Sequence, residues 1–132
     1  MTELTLLQGL FGRAQATITG AAGTSVGEVS TQRQWYLGGP QTVHGHASGA
    51  ATGDAFWLAR AELTAGKPFI RPVLFGDLGW AGPRTAWGVR TPLSGAGAGL
   101  AMLDGALRLD VGRALEAAGR ERWRVDLYLE LR

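Results

Sequence analysis

Residues Asp54–Leu63 read DAFWLARAEL. The odd positions, Ala55, Trp57, Ala59, Ala61 and Leu63, are all apolar. The even positions are Asp54, Phe56, Leu58, Arg60 and Glu62, so every charge falls on one side. An alternation of this kind has the two-residue period of a β-strand. Working outward, the same pattern recurs. In Phe69–Trp80 the even side holds Ile70, Pro72, Leu74, Gly76, Leu78 and Trp80, and the odd side holds Arg71, Phe75 and Asp77. In Ala106–Arg113, Leu107, Leu109 and Val111 alternate with Arg108, Asp110 and Gly112. In Arg122–Arg132, Trp123, Val125, Leu127, Leu129 and Leu131 alternate with Arg124, Asp126, Tyr128 and Glu130. Leu10–Gly20 and Gly95–Leu103 repeat the scheme more weakly, and Thr2–Gln8, with a Gln8-Gly9 turn, is a further candidate strand. Helical periodicity is confined to Val111–Arg120, which is short and lacks an N-cap.

The six segments are roughly nine to twelve residues long, the length a tilted strand needs to cross a bilayer. Their connections are of two kinds. Asp104-Gly105 suits a tight hairpin and Thr64–Pro68 a short turn, whereas Ala21–Gly53, Ala81–Leu93 and Leu115–Glu121 are longer. Short turns alternating with long loops are a habit of transmembrane β-barrels. A soluble sandwich or lipocalin-like barrel also alternates. The difference lies in the charges: Arg13, Arg60, Glu62, Arg71, Asp77, Arg108, Asp110, Arg124 and Asp126 all fall on one parity. Trp80 and Trp123, near strand ends, suit an aromatic girdle. Pro72 speaks against a central strand, because proline removes a ladder hydrogen bond.

Composition narrows the classes. The chain has 132 residues, 21 glycines and no cysteine, and its net charge is +2. It is long enough for one domain, 1–132, with a long loop at about 21–53. Cysteine chemistry and disulfide scaffolds are excluded. A pI near 9.7 rests on two surplus charges that form no basic face, so nucleic acid is not an expected partner. The N-terminus shows no signal-peptide pattern.

The run WYLGGPQTVHGHASGAATGDAFWLARAEL, Trp35–Leu63, resembles a late barrel loop and its following strand in the outer-membrane assembly-factor superfamily, which includes the BamA, TamA and FhaC types and the bacterial surface-antigen proteins. There the pattern is aromatic-Leu-Gly-Gly, a spacer, Val/Leu-Arg-Gly-aromatic, then Gly-Asp and a strand containing Glu. RPVLFGDLGWAG, Arg71–Gly82, resembles the family's Phe-x-Asp-x-Gly strand. SGAGAGLAMLDGALRLDVGRAL followed by WRVDLYLEL is similar to its last hairpin and closing strand. The resemblance runs from about Leu10 onward.

The resemblance implies an all-β fold: an antiparallel meander of about six strands forming the C-terminal portion of a transmembrane β-barrel of about sixteen. It implies the bacterial outer membrane, and a role in outer-membrane protein insertion or polypeptide secretion without the periplasmic domains. The implied partners are outer-membrane lipid and unfolded outer-membrane or secreted polypeptides. It also implies a lumen-directed loop whose motif maps to Val43, His44, Gly45 and His46, with acidic partners Glu62 and Asp77 and with Phe75 packed nearby. The sequence departs from the family at His44, where arginine is usual, at His46, where an aromatic is usual, and at its end, Leu131-Arg132, where an aromatic is common. A neutral imidazole cannot make the arginine–carboxylate fork, so the expected loop lock is weaker than usual, with Arg60 as a substitute cation. Asp77→Ala and Glu62→Ala are then expected to impair folding more than His44→Ala does.

Other constellations give less. His44-x-His46 has no third ligand nearby, so no metal is expected. Glu62 and Asp77, with Arg60 and Arg71 at hand, suit a lumenal ion network better than acid–base catalysis. Ser94–Gly99 lacks the lysine and helix of a phosphate loop and reads as a glycine-lined strand face with room for a close backbone approach. No catalytic residues or cofactors are expected, and the chain is not expected to be an enzyme. Six strands fall short of the roughly eight that close a membrane barrel. The expectation is a piece of a larger barrel, or several copies sharing one. The alternative is a small soluble or anchoring β-module that binds a ligand or partner without transport.

Overall fold

The computed structural model describes residues 2–9, 12–27, 34–67, 69–87, 89–115 and 123–129. It is all-β. Seven strands form one antiparallel sheet in sequential order: β1 (Thr2–Gly9), β2 (Gln15–Thr24), β5 (Ala55–Thr64), β6 (Ile70–Gly82), β7 (Leu93–Met102), β8 (Leu107–Ala114) and β9 (Trp123–Leu129). The connection from β2 to β5 carries its own two-stranded ribbon, β3 (Trp35–Leu37) paired with β4 (Ala51–Gly53). The strands β1 and β2, β5 and β6, and β7 and β8 are joined by short connections leaving from one end of the sheet, and β2 and β5, β6 and β7, and β8 and β9 by longer ones leaving from the other. Among the described residues no helix is long and apolar enough to cross a membrane, which leaves crossing by strands untouched.

Several boundaries differ from the sequence reading. The candidate seventh strand forms, as β1. The strand expected at Leu10–Gly20 is displaced to Gln15–Thr24, because Gly12 turns the chain at φ 68° and the ladder with β5 continues to Thr24↔Ala55. Arg13 therefore sits in a turn. Leu10, Phe11, Pro68, the span 116–122 and the end at Leu131-Arg132 lie outside the described residues. The turn expected at Asp104-Gly105 also takes in Leu103, and all three residues have positive φ. Pro72 is accommodated in β6 at the mouth of the β5–β6 hairpin. In an extended strand a residue's N–H and C=O point the same way. Pro72 O accepts Ala65 N at 3.2 Å, so its missing donor also faces that side, beyond the last pair Thr64↔Val73.

Exposure runs opposite to that of a water-soluble sheet. In β6, Leu74 is 59% and Leu78 49% exposed, while Asp77 is 2% exposed. In β8, Arg108 and Asp110 are buried while Val111 is exposed, and in β9 Val125, Leu127 and Leu129 are exposed. The apolar parity thus points away from the protein. The charged parity is covered by the long loop, whose ribbon packs Leu37 onto Phe56 and Ala81 with Trp35 and Ala51 beside them. A half-exposed antiparallel sheet in water does the reverse, keeping its apolar face in.

Four tryptophans mark the long-loop end of the sheet. Trp57 and Trp80 are cross-strand partners, and Trp80 is buried by stacking on Trp87 at 5.1 Å. Trp123 is exposed, with the Arg113 guanidinium 5.8 Å from its ring centroid.

Candidate functional site

The site lies where the loop tip, residues 38–50, crosses the charged face. Its backbone turns on itself through Gly39 N to Val43 O (3.1 Å), Thr42 N to Gly39 O (3.1 Å) and Gly38 N to Thr42 Oγ1 (2.7 Å). Those turns aim Val43 and His44 at the sheet, where both are fully buried. Strand β7 makes the approach feasible. Its inward positions are Gly95, Gly97 and Gly99, opposite Gly112 and Asp110 on β8. A methyl on Gly95 would collide with the His44 carbonyl, and one on Gly112 would lie 2.9 Å from His44 Cβ. The strip that the sequence shows as Ser94–Gly99 is the floor on which the tip rests.

Because β7 presents no side chains there, one imidazole reaches the strands on both sides of it. His44 Nδ1 lies 2.5 Å from Asp77 Oδ2 on β6, and Nε2 lies 3.3 Å from Asp110 Oδ2 on β8. The His44 backbone N–H also donates to Asp77 Oδ2 at 3.0 Å. The ring packs on Phe75, centroid to centroid 4.0 Å.

The remaining groups close the cluster. Arg60 Nε donates to Asp77 Oδ1 at 2.6 Å, and its Nη2 donates to the carbonyls of Pro40 (3.2 Å) and Thr42 (3.0 Å), tying β5 to the loop backbone. Arg108 Nε donates to both Asp110 oxygens at 3.0 and 2.9 Å, and its Nη1 donates to Glu62 Oε2 at 3.1 Å. Arg108 also stands 5.8 Å over the Phe75 ring. Tyr128 on β9 donates its hydroxyl to Asp110 Oδ2 at 2.5 Å. Beside the cluster, His46 Nε2 donates to Ser94 O at 2.9 Å, and Arg124 on β9 donates to His46 O at 2.8 Å.

The sequence-stated residues are thus sorted by the fold. Val43, His44, Phe75, Asp77 and Arg60 meet at the tip. Glu62 does not touch the loop: it is held by Arg108, on the far side of Phe75. Arg71, expected to join the network, instead pairs with Asp104 at the turn end (3.3 Å). The second carboxylate on His44 is Asp110, which parity places on the charged side but nothing in the loop motif singles out. The same holds for Tyr128.

Electrostatics favour a charged imidazole. Arg60 and Arg108 face three carboxylates, Asp77, Asp110 and Glu62, so the cluster is one positive charge short of neutral without a proton on His44. Burial pulls the His44 pKa down and Arg60 opposes its charge. The hydrogen bonds to Asp110 and Asp77 and the charge of Asp77 outweigh both, holding the group above the ordinary 6.5. Asp77 and Asp110 address opposite ring nitrogens and do not converge on a point. Among the described residues no three His, Cys, Asp or Glu side chains are grouped to hold a metal ion.

Comparison with known proteins bears on the fold. No family model and no curated protein matches the chain. Among solved structures it is similar to CdiB from Acinetobacter baumannii, with a TM-score of 0.71 and 22% identity. The match covers 95% of this chain and 25% of that one, so the chain spans about a quarter of the structure it resembles. At this identity the likeness shows the fold: the sheet is a partial β-barrel, open between β1 and β9 among the described residues.

Proposed function

We propose that the chain is the wall of a bacterial outer-membrane β-barrel of the class that inserts outer-membrane proteins or secretes polypeptides. The observation that carries the proposal is the inverted sheet. Leucines and valines of the neighbouring strands β5 to β9 point outward, and a cluster of ion pairs lies inward. An outward apolar band with a polar interior suits hydrocarbon outside and water within. Burying an ion network beneath a loop while leaving leucines bare has no advantage in water, where exposed apolar patches promote association.

The finer reading, polypeptide transport, is supported by the loop motif and the ordered resemblance of Trp35–Leu63, Arg71–Gly82 and the last hairpin to the assembly-factor superfamily, together with the barrel likeness to CdiB over nearly the whole chain. Lipid is then the outer partner and an unfolded polypeptide the transported one. Completion of the barrel requires further strands beside β1 and β9, from more chain or from other copies, because an open sheet edge is not tolerated in hydrocarbon.

Fractionation tests the membrane half of this reading. The chain is expected in outer membranes, resistant to alkaline carbonate washing and released by detergent. Recovery as a soluble monomer would overturn it. Secretion or insertion of a reporter polypeptide, lost when β6 or β9 is disrupted, tests the transport half.

A further inference from the structure

The cluster at His44 does more than seat a loop. It connects β6 to β9. From Asp77 the contacts run through the His44 ring to Asp110 Oδ2, and the same oxygen accepts the Tyr128 hydroxyl at 2.5 Å. A second link joins the same strand to the tip, from Arg124 to the His46 carbonyl at 2.8 Å. Strand β9 is an edge of the described sheet and pairs only with β8 within it. Tyr128 adds a side-chain bond to β8, and Arg124 joins it to the tip.

The link from Asp77 to Asp110 contains a proton. Both ring nitrogens of His44 face carboxylate oxygens, and an ionised carboxylate only accepts. A neutral imidazole has a single N–H, so one of its nitrogens would meet a carboxylate lone pair to lone pair. Arg60 Nη2, 3.4 Å from Nδ1, does not relieve this, since its hydrogens go to the Pro40 and Thr42 carbonyls. An arginine in this position would be charged at every working pH. A histidine is not.

We propose that the loop tip is a proton-operated clasp across the glycine strip: with His44 protonated it ties β8 to β6, and loss of that proton releases the tip from β8. The groups facing His44 are accounted for strand by strand. Arg60 and, at one remove, Glu62 stand on β5. Asp77 stands on β6, Asp110 and Arg108 on β8, and Tyr128 and Arg124 on β9. Strand β7 offers only Ser94 and the glycines. On the loop itself His46 bonds to the Ser94 carbonyl and to neither carboxylate. Only His44 touches both Asp77 and Asp110 through a ring that can give up a proton. Its raised pKa places release on the alkaline side of 6.5. Deprotonation leaves the Arg60–Asp77 and Arg108–Glu62 pairs in place, so the sheet persists while the tie from the tip to Asp110 on β8 is lost.

The clasp goes beyond the transport reading, and a failure of one is distinguishable from a failure of the other. Membrane extraction decides the first, and a distance measurement on the folded chain decides the second. The chain has no cysteine, so Ala47→Cys on the tip and Val111→Cys on the exposed side of β8 take spin labels without background. In the full chain folded in detergent, the distance distribution between the labels is expected to be narrow at about pH 5.5, and to lose most of its narrow population at about pH 9, either side of the histidine range. His44→Lys should keep it narrow at both values, and His44→Gln should leave it broad at both. His46→Gln should still respond to pH. Heat-modifiable gel migration establishes that each variant is folded, and the native chain at two pH values suffices where a variant is not. A distribution that does not change with pH while the His44 nitrogen shifts titrate would overturn the proposal. So would a pH response retained in His44→Gln.

Discussion

At the scale of residues, the lock depends on Asp77 more than on Glu62. Asp77 accepts from Arg60, the His44 ring and the His44 backbone, so Asp77→Asn leaves two buried partners uncompensated. The expected loss is about 3–5 kcal/mol. Glu62→Gln leaves Arg108 its bonds to Asp110 and keeps a neutral acceptor, with an expected cost of about 1 kcal/mol. His44→Ala should fall with Asp77, because it vacates both Asp77 and Asp110. Urea unfolding in detergent, followed by tryptophan fluorescence, ranks the three, and Glu62→Gln emerging as the most damaging would contradict the observed pairing. The His44 pKa also gives stability a direction with pH. A group whose pKa is higher folded than unfolded stabilises fully below its unfolded value, and that contribution declines as pH rises through the folded value. The chain should therefore withstand more urea below pH 6.5 than above it, and His44→Gln should remove the difference.

At the scale of elements, strand parity was legible because a two-residue period sorts the charges of β5, β6 and β9 to one side, and those of β8 apart from Arg113 near its end. Boundaries were less so. Nothing in the apolar count of Leu10–Gly20 shows that the ladder with β5 extends to Thr24, since registry is a property of two strands together. The loop motif named Asp77 because it is near the motif strand in the resemblance. Asp110 and its partner Tyr128 could not be read that way: Asp110 meets the loop only because β7 has no inward side chains, a fact of sheet order. The glycine strip itself was visible in the sequence as room for a close approach. Gly95→Val should push the tip off the sheet at a cost of about 1–3 kcal/mol, seen as loss of the His44 ring contacts to Phe75 in NMR. Pro72→Ala, at the hairpin mouth, should change stability by less than about 0.5 kcal/mol, since the N–H it would restore lies beyond the last pair of the β5–β6 ladder.

At the scale of the whole molecule, the outward face distinguishes a membrane wall from a soluble sheet. Leu78 is on that face near the middle of β6. In a bilayer, Leu78→Arg should cost about 2–4 kcal/mol and reduce the heat-resistant folded band in outer membranes. In a water-soluble sheet the same change at a half-exposed position would be nearly silent. The comparison with Thr17→Arg on β2, which faces the interior side, controls for charge alone.

Strand β7 has one more effect. A sheet resists bending where bulky inward side chains meet, and yields where there are none. Gly95, Gly97 and Gly99 make a crease along which the wall can curl tightly. The tip lies across that crease, bonded to β6 on one side and β8 on the other. It works as a cross-tie on a curved panel, fixing how sharply the wall turns there. Two carboxylates on strands that do not touch each other are thereby held at the span of a single imidazole ring.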